Sequence, residues 1–242
     1  MRKIKKILLK ISEFIYPVTC SGCGSDLNAS SDSGRVCESC KSSFVRIKGF
    51  VCRKCGLPLD DGGEHCYICR HKPKEFHFDN MRSSYLYKGG VRKLILKFKY
   101  SDRMFLAEDF AADMLETMEE NTFFKEADLI VPVPLNILRR IKRGYNQAEL
   151  LARVIGKKTA KQVLTNVLLR KKITRPQFKL SKQERQENIK DSFIVKNEKA
   201  LYKKNILLVD DIVTTSATVS ACAKALKNSG ARKVYVIALA RD

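Results

Sequence analysis

Two acidic side chains and a run of hydroxyl side chains lie together near the end of the chain. Asp210 and Asp211 follow the aliphatic residues 206–209, and a hydroxyl-rich turn comes next. Carboxylates at a strand end can accept hydrogen bonds from the two cis hydroxyls of a ribose, directly or through a divalent ion. A helix predicted over 216–227 presents free backbone N–H groups and a dipole that favour a phosphate dianion. The expected ribose-phosphate ligands are Asp210, Asp211, Val213, Thr214, Thr215, Ser216, Ala217 and Thr218.

Other interpretations of this segment remain open. An aliphatic strand that ends in two aspartates also resembles a Walker B strand, but the chain has no G-x-x-x-x-G-K-[ST] loop to hold nucleotide phosphates. It also resembles the acidic pocket of a response-regulator receiver domain, yet only 31 residues follow Asp211, too few for such a domain. An ordinary strand, turn and helix is the remaining alternative.

A second, basic segment follows another predicted strand. The residues VPVPL at 131–135 lead into 136–147, which carry four cations before Gly144. Prolines restrict the exit of the chain and Gly144 allows a close turn, so a basic loop here suits a pyrophosphate group. A solvated basic loop is the alternative. The expected pyrophosphate ligands are Pro134, Leu135, Arg139, Arg140 and Arg143.

Eight of the nine cysteines form four Cys-x-x-Cys pairs in the first third of the chain. Two residues between thiols let both sulfurs face one tetrahedral zinc ion, and Gly24 and Gly56 stand where such a turn needs a positive φ. The expected sites are Cys20, Cys23, Cys37 and Cys40 for one ion, and Cys52, Cys55, Cys66 and Cys69 for another.

Several points about these cysteines stay open at this stage. The ligands could be crossed between sites, and one of the two sites could be unfilled. Disulfides, redox Cys-x-x-Cys pairs and an iron–sulfur cluster are the competing chemistries. Disulfides need an oxidising compartment, which the missing signal peptide argues against, and four pairs exceed what redox exchange needs. The zinc is expected to be structural, because each ligand set is complete and leaves no open position for water. We expect His71 and His77 to be surface residues and Cys222 to be buried in a helix.

The chain of 242 residues is strongly basic. Lys and Arg number 47 against 26 Asp and Glu, a formal charge of +21, which eight thiolates and two zinc ions would reduce to about +17. Such a charge attracts nucleic acid, anionic membranes or phosphorylated small molecules, and a merely well-solvated surface is the alternative. Residues 1–16 predict a short amphipathic helix, and charges interrupt every run that could be a signal peptide or a membrane span. A cytoplasmic protein without a transmembrane segment is expected.

The elements that position these groups follow from the hydrophobic pattern. Strands are predicted at 129–133, 192–195, 205–209 and 234–240, and helices at 105–118, 147–154 and 216–227. This alternation predicts an α/β domain with a parallel sheet, where ligands bind beyond the carboxyl ends of the strands. The predicted organisation is a helix over 1–16, a four-cysteine zinc-ribbon domain over 17–72 and the α/β domain over 80–242. The charged segment 170–193 is expected to be a lid or a polyanion-binding arm.

The Asp-Asp-Ile-Val-Thr-Thr segment resembles the phosphoribosyl-pyrophosphate motif of type I phosphoribosyltransferases, with Ser216 where glycine is usual; a serine there could cap the helix. The whole chain resembles the competence protein F (ComF/ComFC) family. The residues that carry the resemblance are the four Cys pairs, YLYKGGVRKL at 85–94, KFKY at 97–100, VPVP at 131–134, RGYNQA at 143–148, DDIVTT at 210–215, and Arg170, Thr174, Gln177, Leu180, Arg185, Asn188 and Phe193.

The resemblance implies a double zinc ribbon followed by a type I phosphoribosyltransferase-like domain. It implies a cytoplasmic role in natural transformation, with single-stranded DNA, phosphoribosyl pyrophosphate with Mg²⁺, and other DNA-uptake proteins as candidate partners. The competing hypothesis is an active phosphoribosyltransferase that joins a nucleobase or amine to the activated sugar and releases pyrophosphate. In that case Asp210 and Asp211 would be catalytic, because they would hold the ribose while charge develops at C1.

Overall fold

The computed structural model describes residues 18–27, 35–60, 62–171 and 192–242. The helix predicted over 1–16 and residues 172–191 of the predicted lid lie outside this part of the chain. The described helices are α1 Glu38–Ser42, α2 Tyr67–His71, α3 Gly89–Tyr100, α4 Leu106–Glu119, α5 Ile137–Arg143, α6 Gln147–Thr159 and α7 Ala217–Asn228. The described strands are β1 Asn80–Leu86, β2 Leu129–Pro132, β3 Gln162–Val163, β4 Leu168–Arg170, β5 Phe193–Val195, β6 Asn205–Val213 and β7 Lys233–Arg241.

Five strands form one parallel sheet in the order β1-β7-β6-β2-β3. The central pair, β6 and β7, is the longest, with Ile206 opposite Val234 and Val209 opposite Ile237. These aliphatic residues are fully buried because helices cover both faces of the sheet, which explains why both strands are nearly continuous apolar runs. The predicted α/β fold with a parallel sheet is confirmed.

The two faces of the sheet carry separate apolar cores. Helices α3, α4 and α6 cover one face, where their buried side chains meet Leu207 and Val209 of β6. Helix α7 covers the other face and packs on Leu208 and Val213. The cysteine-rich region contributes to both cores, with Phe44 on the first face and the cysteines from Cys52 onward on the second.

The structure differs from the sequence-based expectations in five elements. Strand β1 and helix α3 were not predicted, because residues 80–100 alternate poorly and carry many charges. The strand predicted to end at residue 209 continues through both aspartates to Val213. The strand predicted at 192–195 lies outside the parallel sheet and pairs antiparallel with β4. The predicted basic loop after residue 135 is largely helix α5, which Gly144 ends in the left-handed conformation (φ 76°).

The second group of cysteines is joined directly to the edge of the sheet. The backbone N–H of Met81 in β1 donates to the carbonyl of Lys54 at 2.7 Å. Arg82 Nη1 donates to the carbonyl of Arg53 at 3.0 Å, and the buried Arg241 Nη1 of β7 donates to that of Cys55 at 2.7 Å. The two arginine bonds are charge-assisted, and together the three contacts fix the cysteine-bearing turn against the sheet.

Among the described residues, no helix combines the length and apolar composition needed to cross a bilayer.

Candidate functional site

The carboxyl end of β6 and the start of α7 enclose a small cavity. Its volume is about 40 Å³, and it lies at the edge of the sheet where ligands of parallel α/β domains bind. The residues that line it are Asp210, Ile212, Val213, Thr214, Thr215, Ser216, Ala217, Thr218 and Val219. The structure therefore brings together seven of the eight residues predicted to hold a ribose phosphate, and Asp211 is the one that does not line this cavity.

Helix α7 begins at this cavity with an unusual residue. Ser216 precedes the helix in the left-handed conformation (φ 61°), is buried, and makes no capping hydrogen bond through its side chain. The expectation that its hydroxyl caps the helix is therefore wrong; Thr215 Oγ1 accepts a long bond of 3.5 Å from the N–H of Ala217 instead. The backbone N–H groups in the first turn of α7 have no acceptor within the helix. They point out of its N-terminal end, where a bound anion is favoured.

The two aspartates point to opposite faces of the sheet, because neighbouring side chains in a strand alternate. Asp210 lies on the α7 side, where it interacts with the buried Cys222 of that helix. Asp211 lies on the α3 side, where its Oδ2 forms an ion pair with Nζ of Lys99 at 2.9 Å. The aspartates also contact each other, since the N–H of Asp211 donates to Oδ1 of Asp210 at 2.9 Å. The sequence predicts that both carboxylates face one ribose. In the structure they lie on opposite faces of the sheet, and only Asp210 lines the cavity.

Burial controls the protonation of this pair. Desolvation raises the pKa of Asp210 well above its usual range, and the negative charge of Asp211 raises it further, while the Asp211 N–H and Lys99 act in the opposite direction. The shift favours protonation of Asp210 relative to an exposed aspartate, and a protonated carboxyl group can both donate to and accept from a sugar hydroxyl. Desolvation and Asp210 also raise the pKa of the fully buried Cys222 thiol, which agrees with its expected role as a core residue.

Helix α5, which follows β2, carries the three arginines among the predicted pyrophosphate ligands, and two of these arginines have partners. Arg143 donates to Oη of Tyr100 at 2.8 Å and to Oε1 of Gln147 at 3.2 Å. Arg140 lies 3.7 Å from a carboxylate oxygen of Glu149. Arg139 is exposed. Pro134 and Leu135, half-buried, form the link between β2 and α5.

Three residues near the site were not singled out as ligands from the sequence: Lys99, Tyr100 and Arg170. Lys99 and Tyr100 form the last turn of α3 and contact Asp211 and Arg143, respectively. The half-buried Arg170 has an Nε atom without a hydrogen-bond partner among the described residues, and burial together with the charge of Arg139 lowers its pKa. No local pattern marks these residues, although KFKY and Arg170 are part of the family resemblance.

The eight paired cysteines form two clusters with the sequential grouping expected from the sequence. Within each cluster the sulfur atoms lie within 4.8 Å of one another. The Sγ separations are 3.7 Å between Cys23 and Cys37 and 3.6 Å between Cys55 and Cys66, close to the edge of about 3.8 Å that follows from tetrahedral Zn–S bonds. Gly24 and Gly56 have the predicted positive φ, 82° and 67°. Both clusters therefore fit zinc.

The clusters differ in exposure. All four cysteines of the second cluster are buried, whereas Cys23 of the first cluster is exposed. A hydrogen bond with Ser25 lowers the pKa of the Cys23 thiol to about 6, which favours the thiolate that binds metal. His71 and His77 are exposed, as expected, and belong to neither cluster.

Fold and site together define a class of protein in which a region with two four-cysteine clusters precedes a parallel α/β domain with a hydroxyl-rich loop at a strand end. Residues 11–70 match the family model described as a double zinc ribbon domain. The chain is 30% identical over 229 residues to competence protein F of Haemophilus influenzae, which covers 92% of this chain and 96% of that protein. The chain belongs to the competence protein F family, and the predicted resemblance and zinc-ribbon region are confirmed.

Two further comparisons extend this result. The DNA utilization protein YhgH of Escherichia coli K12 is 30% identical over 209 residues, 85% of this chain and 90% of that protein. Among solved structures, glutamine phosphoribosylpyrophosphate amidotransferase from B. subtilis matches 59% of this chain and 30% of its own longer chain, at 16% identity and a TM-score of 0.39.

Proposed function

We propose that this chain is a cytoplasmic competence protein that binds phosphoribosyl pyrophosphate and handles single-stranded DNA. One observation carries the ligand assignment: Asp210 and the hydroxyl groups of the Thr214–Thr218 loop share one cavity at the start of α7. A helix start favours a phosphate group, and a carboxyl group favours sugar hydroxyls, so the two ends of a ribose 5-phosphate both have a partner.

The proposed binding mode follows the layout of the sheet edge. The 5-phosphate accepts hydrogen bonds from the free N–H groups of the first turn of α7 and from the hydroxyls of Thr214, Thr215 and Thr218. Asp210 holds a ribose hydroxyl. The pyrophosphate, with Mg²⁺ as its counter-ion, extends toward α5, whose cations follow the adjacent strand β2 at the same edge.

Calorimetry with phosphoribosyl pyrophosphate and Mg²⁺ tests this assignment. The Thr214→Ala/Thr215→Ala double variant should bind at least about tenfold more weakly than wild type, because hydrogen bonds to a charged phosphate are lost. The Asp210→Asn/Asp211→Asn variant should also be weakened. Thr122→Ala removes an equally exposed hydroxyl far from the cavity and serves as the control, with unchanged affinity. No binding by wild type, or equal binding by the double threonine variant, would rule out the assignment.

The proposal for DNA rests on the charge of +21 and on relatives named competence protein F and DNA utilization protein. Basic side chains that contact phosphates release counter-ions, so affinity for a labelled single-stranded oligonucleotide should fall steeply as salt rises from about 50 to 200 mM. A duplex of the same length is the comparison for strand preference. Affinity that is independent of salt would exclude phosphate contacts and refute the DNA proposal.

An active phosphoribosyltransferase is the second candidate, and the cations of α5 favour it, because they follow the strand next to β6 and could stabilise a departing pyrophosphate. The test is pyrophosphate release with a panel of nucleobases and amines. Release that is lost in Asp211→Asn would establish transfer. Absence of release across the panel would leave a protein that binds the activated sugar without transferring it.

We further propose that both cysteine clusters hold structural zinc. Each supplies four sulfurs and leaves no position for a reactive water. Elemental analysis should find two zinc ions per chain in wild type and one in Cys23→Ser/Cys37→Ser. Loss of the second, fully buried cluster through Cys52→Ser/Cys55→Ser should also prevent stable folding, because these cysteines belong to the core beneath α7. Iron in the purified protein would contradict the assignment.

A further inference from the structure

The ion pair between Asp211 and Lys99 is almost enclosed by protein. The side chains keep only 13% and 14% of their surface exposed, and the Nζ–Oδ2 distance is 2.9 Å. A pair at this depth is screened little by salt, and removing one partner leaves an uncompensated charge. Lys99 is therefore a fixed part of the carboxylate site and not a mobile surface residue.

The arrangement of the aspartates does not suit a bound divalent cation. Mg²⁺ requires oxygen ligands in near-octahedral positions at about 2.0–2.1 Å, usually from carboxylates that remain charged. Here the two side chains lie on opposite faces of β6, Asp211 already holds an ammonium group, and Oδ1 of Asp210 accepts from the Asp211 N–H. Burial and the charge of Asp211 also raise the pKa of Asp210, which acts against the charged form that Mg²⁺ prefers. Lys99 already neutralises Asp211, so the group has little attraction for Mg²⁺.

We propose that Lys99 takes the position of a divalent cation at this carboxylate pair, so that the ribose 5-phosphate part of the ligand binds without Mg²⁺. The inference rests on the proposed function and refines it: Mg²⁺ enters only as the counter-ion of the pyrophosphate. Lys99 acts through Asp211, whose backbone N–H in turn holds the carboxyl group of Asp210 at the cavity. Lys99 is therefore a positioning residue.

The contacts of Lys99 show that it does more than complement the dipole of α3. It lies in the last turn of α3, where a cation is favoured. Lys97 in the same turn reaches the zinc-ribbon region, where it donates to the carbonyl of Ser21 at 2.6 Å. Lys99 instead reaches β6, and its neighbour Tyr100 accepts a hydrogen bond from Arg143. The end of α3 thus contacts both the carboxylate site and helix α5.

The test compares the dissociation constant of ribose 5-phosphate, which lacks the pyrophosphate, in buffer freed of Mg²⁺ by passage over a chelating resin before the protein is added, and in excess Mg²⁺. No soluble chelator is present, so the zinc clusters stay intact. Wild type should bind equally well in both, within about twofold. Lys99→Met should bind about tenfold more weakly without Mg²⁺, and Mg²⁺ should restore part of the loss, because the freed carboxylate then recruits a cation. Lys99→Arg keeps the charge and should remain independent of Mg²⁺. Lys93→Met, an exposed lysine on the same helix, is the matched control and should behave as wild type.

The outcomes distinguish this inference from the function on which it rests. If wild type binds ribose 5-phosphate only when Mg²⁺ is present, the inference is wrong while the ligand assignment stands. Lys99→Met that binds as wild type in the absence of Mg²⁺ would also overturn it. If wild type binds neither ribose 5-phosphate nor phosphoribosyl pyrophosphate with Mg²⁺, the proposed function itself fails. Should Lys99→Met not fold, as judged by circular dichroism and zinc content, the wild-type comparison and Lys99→Arg still decide.

Discussion

Ser216 occupies a backbone conformation that side chains usually avoid. Its φ of 61° lies in the left-handed region, where a Cβ atom approaches the following carbonyl and costs about 1–2 kcal/mol. Glycine has no such cost, which explains physically why glycine is usual at this position of the phosphoribosyl-pyrophosphate motif. The serine does not recover the cost by capping α7, because its side chain makes no capping hydrogen bond.

We therefore predict that Ser216→Gly stabilises the protein by about 0.5–1 kcal/mol, the difference between relief of strain and the greater freedom of an unfolded glycine. Ligand affinity should rise or stay constant, since the cavity keeps its backbone N–H groups. Urea unfolding and calorimetry measure the two effects. Ser216→Val, with a β-branched side chain in the same conformation, should be clearly destabilised. Equal stability of the glycine and valine variants would show that the left-handed geometry is not maintained in solution.

The cysteine-bearing turns illustrate how elements are fitted to each other. Both turns use a glycine with positive φ, but only one approaches the sheet. A Cβ atom at Gly56 would lie 2.6 Å from the carbonyl oxygen of Met81 in β1, whereas one at Gly24 would meet nothing within 4 Å. The Cys-x-x-Cys-Gly pattern indicates the turn, and only the packing of strand β1 adds a second requirement for glycine at position 56.

This contrast predicts unequal effects of the same substitution. Gly24→Ala should cost about 1 kcal/mol, the conformational penalty alone. Gly56→Ala should cost about 2–4 kcal/mol, because the backbone of β1 or of the turn must also move and the bonds that join them weaken. Urea unfolding at saturating zinc measures both. Equal losses for the two variants would mean that the second turn does not pack against β1 as described.

At the scale of the whole molecule, polar contacts join the first cysteine cluster region to helix α4. The backbone N–H of Arg35 donates to Asp109 Oδ2 at 2.9 Å, and Arg46 pairs with Glu116 at 2.7 Å. Asp113 lies beneath these pairs. Burial raises its pKa to about 6, while Lys41 and a hydrogen bond with Tyr85 act against the shift. Protonation of Asp113 therefore stabilises the contact between the first cysteine cluster region and α4.

The pH dependence follows from this shift. A carboxyl group whose pKa is raised by folding adds stability at low pH, and that contribution is lost as the pH rises through about 6. Asp113→Asn, which can still accept from the Tyr85 hydroxyl, should be more stable than wild type by about 1–3 kcal/mol at pH 7. At pH 5 the stability advantage of Asp113→Asn over wild type should be smaller by about 1 kcal/mol.

Urea unfolding of both proteins from pH 5 to 7 at constant zinc checks this, and the difference between them cancels the pH dependence of zinc binding. Glu116→Gln is the matched control, an amide substitution at an exposed carboxylate. The difference in unfolding free energy between this variant and wild type should change much less with pH. A constant difference between wild type and Asp113→Asn across this range would refute the shifted pKa.

The features that could be predicted from the sequence are those that depend on neighbouring residues. Four Cys-x-x-Cys pairs specify their own turns, and the aliphatic runs that became β2, β6 and β7 are buried on both faces wherever they lie in a parallel sheet. The hydroxyl loop at the start of α7 also follows from local order, because strand, turn and helix succeed one another directly. The fold class, both cysteine groups and most of the cavity lining were therefore recognisable before the structure.

Other features depend on residues far apart in the chain. The strand continues past residue 209 because Asp210 and Ile212 pair with Ala238 and Ala240 of β7, and this continuation turns the two aspartates to opposite faces. The partner of Asp211 comes from a helix more than a hundred residues earlier, and hydrophobic periodicity contains no information about which lysine will reach it. Burial, and with it the charge of the carboxylate pair, arises only when α3 and α7 cover the sheet, since desolvation is a property of the packed molecule.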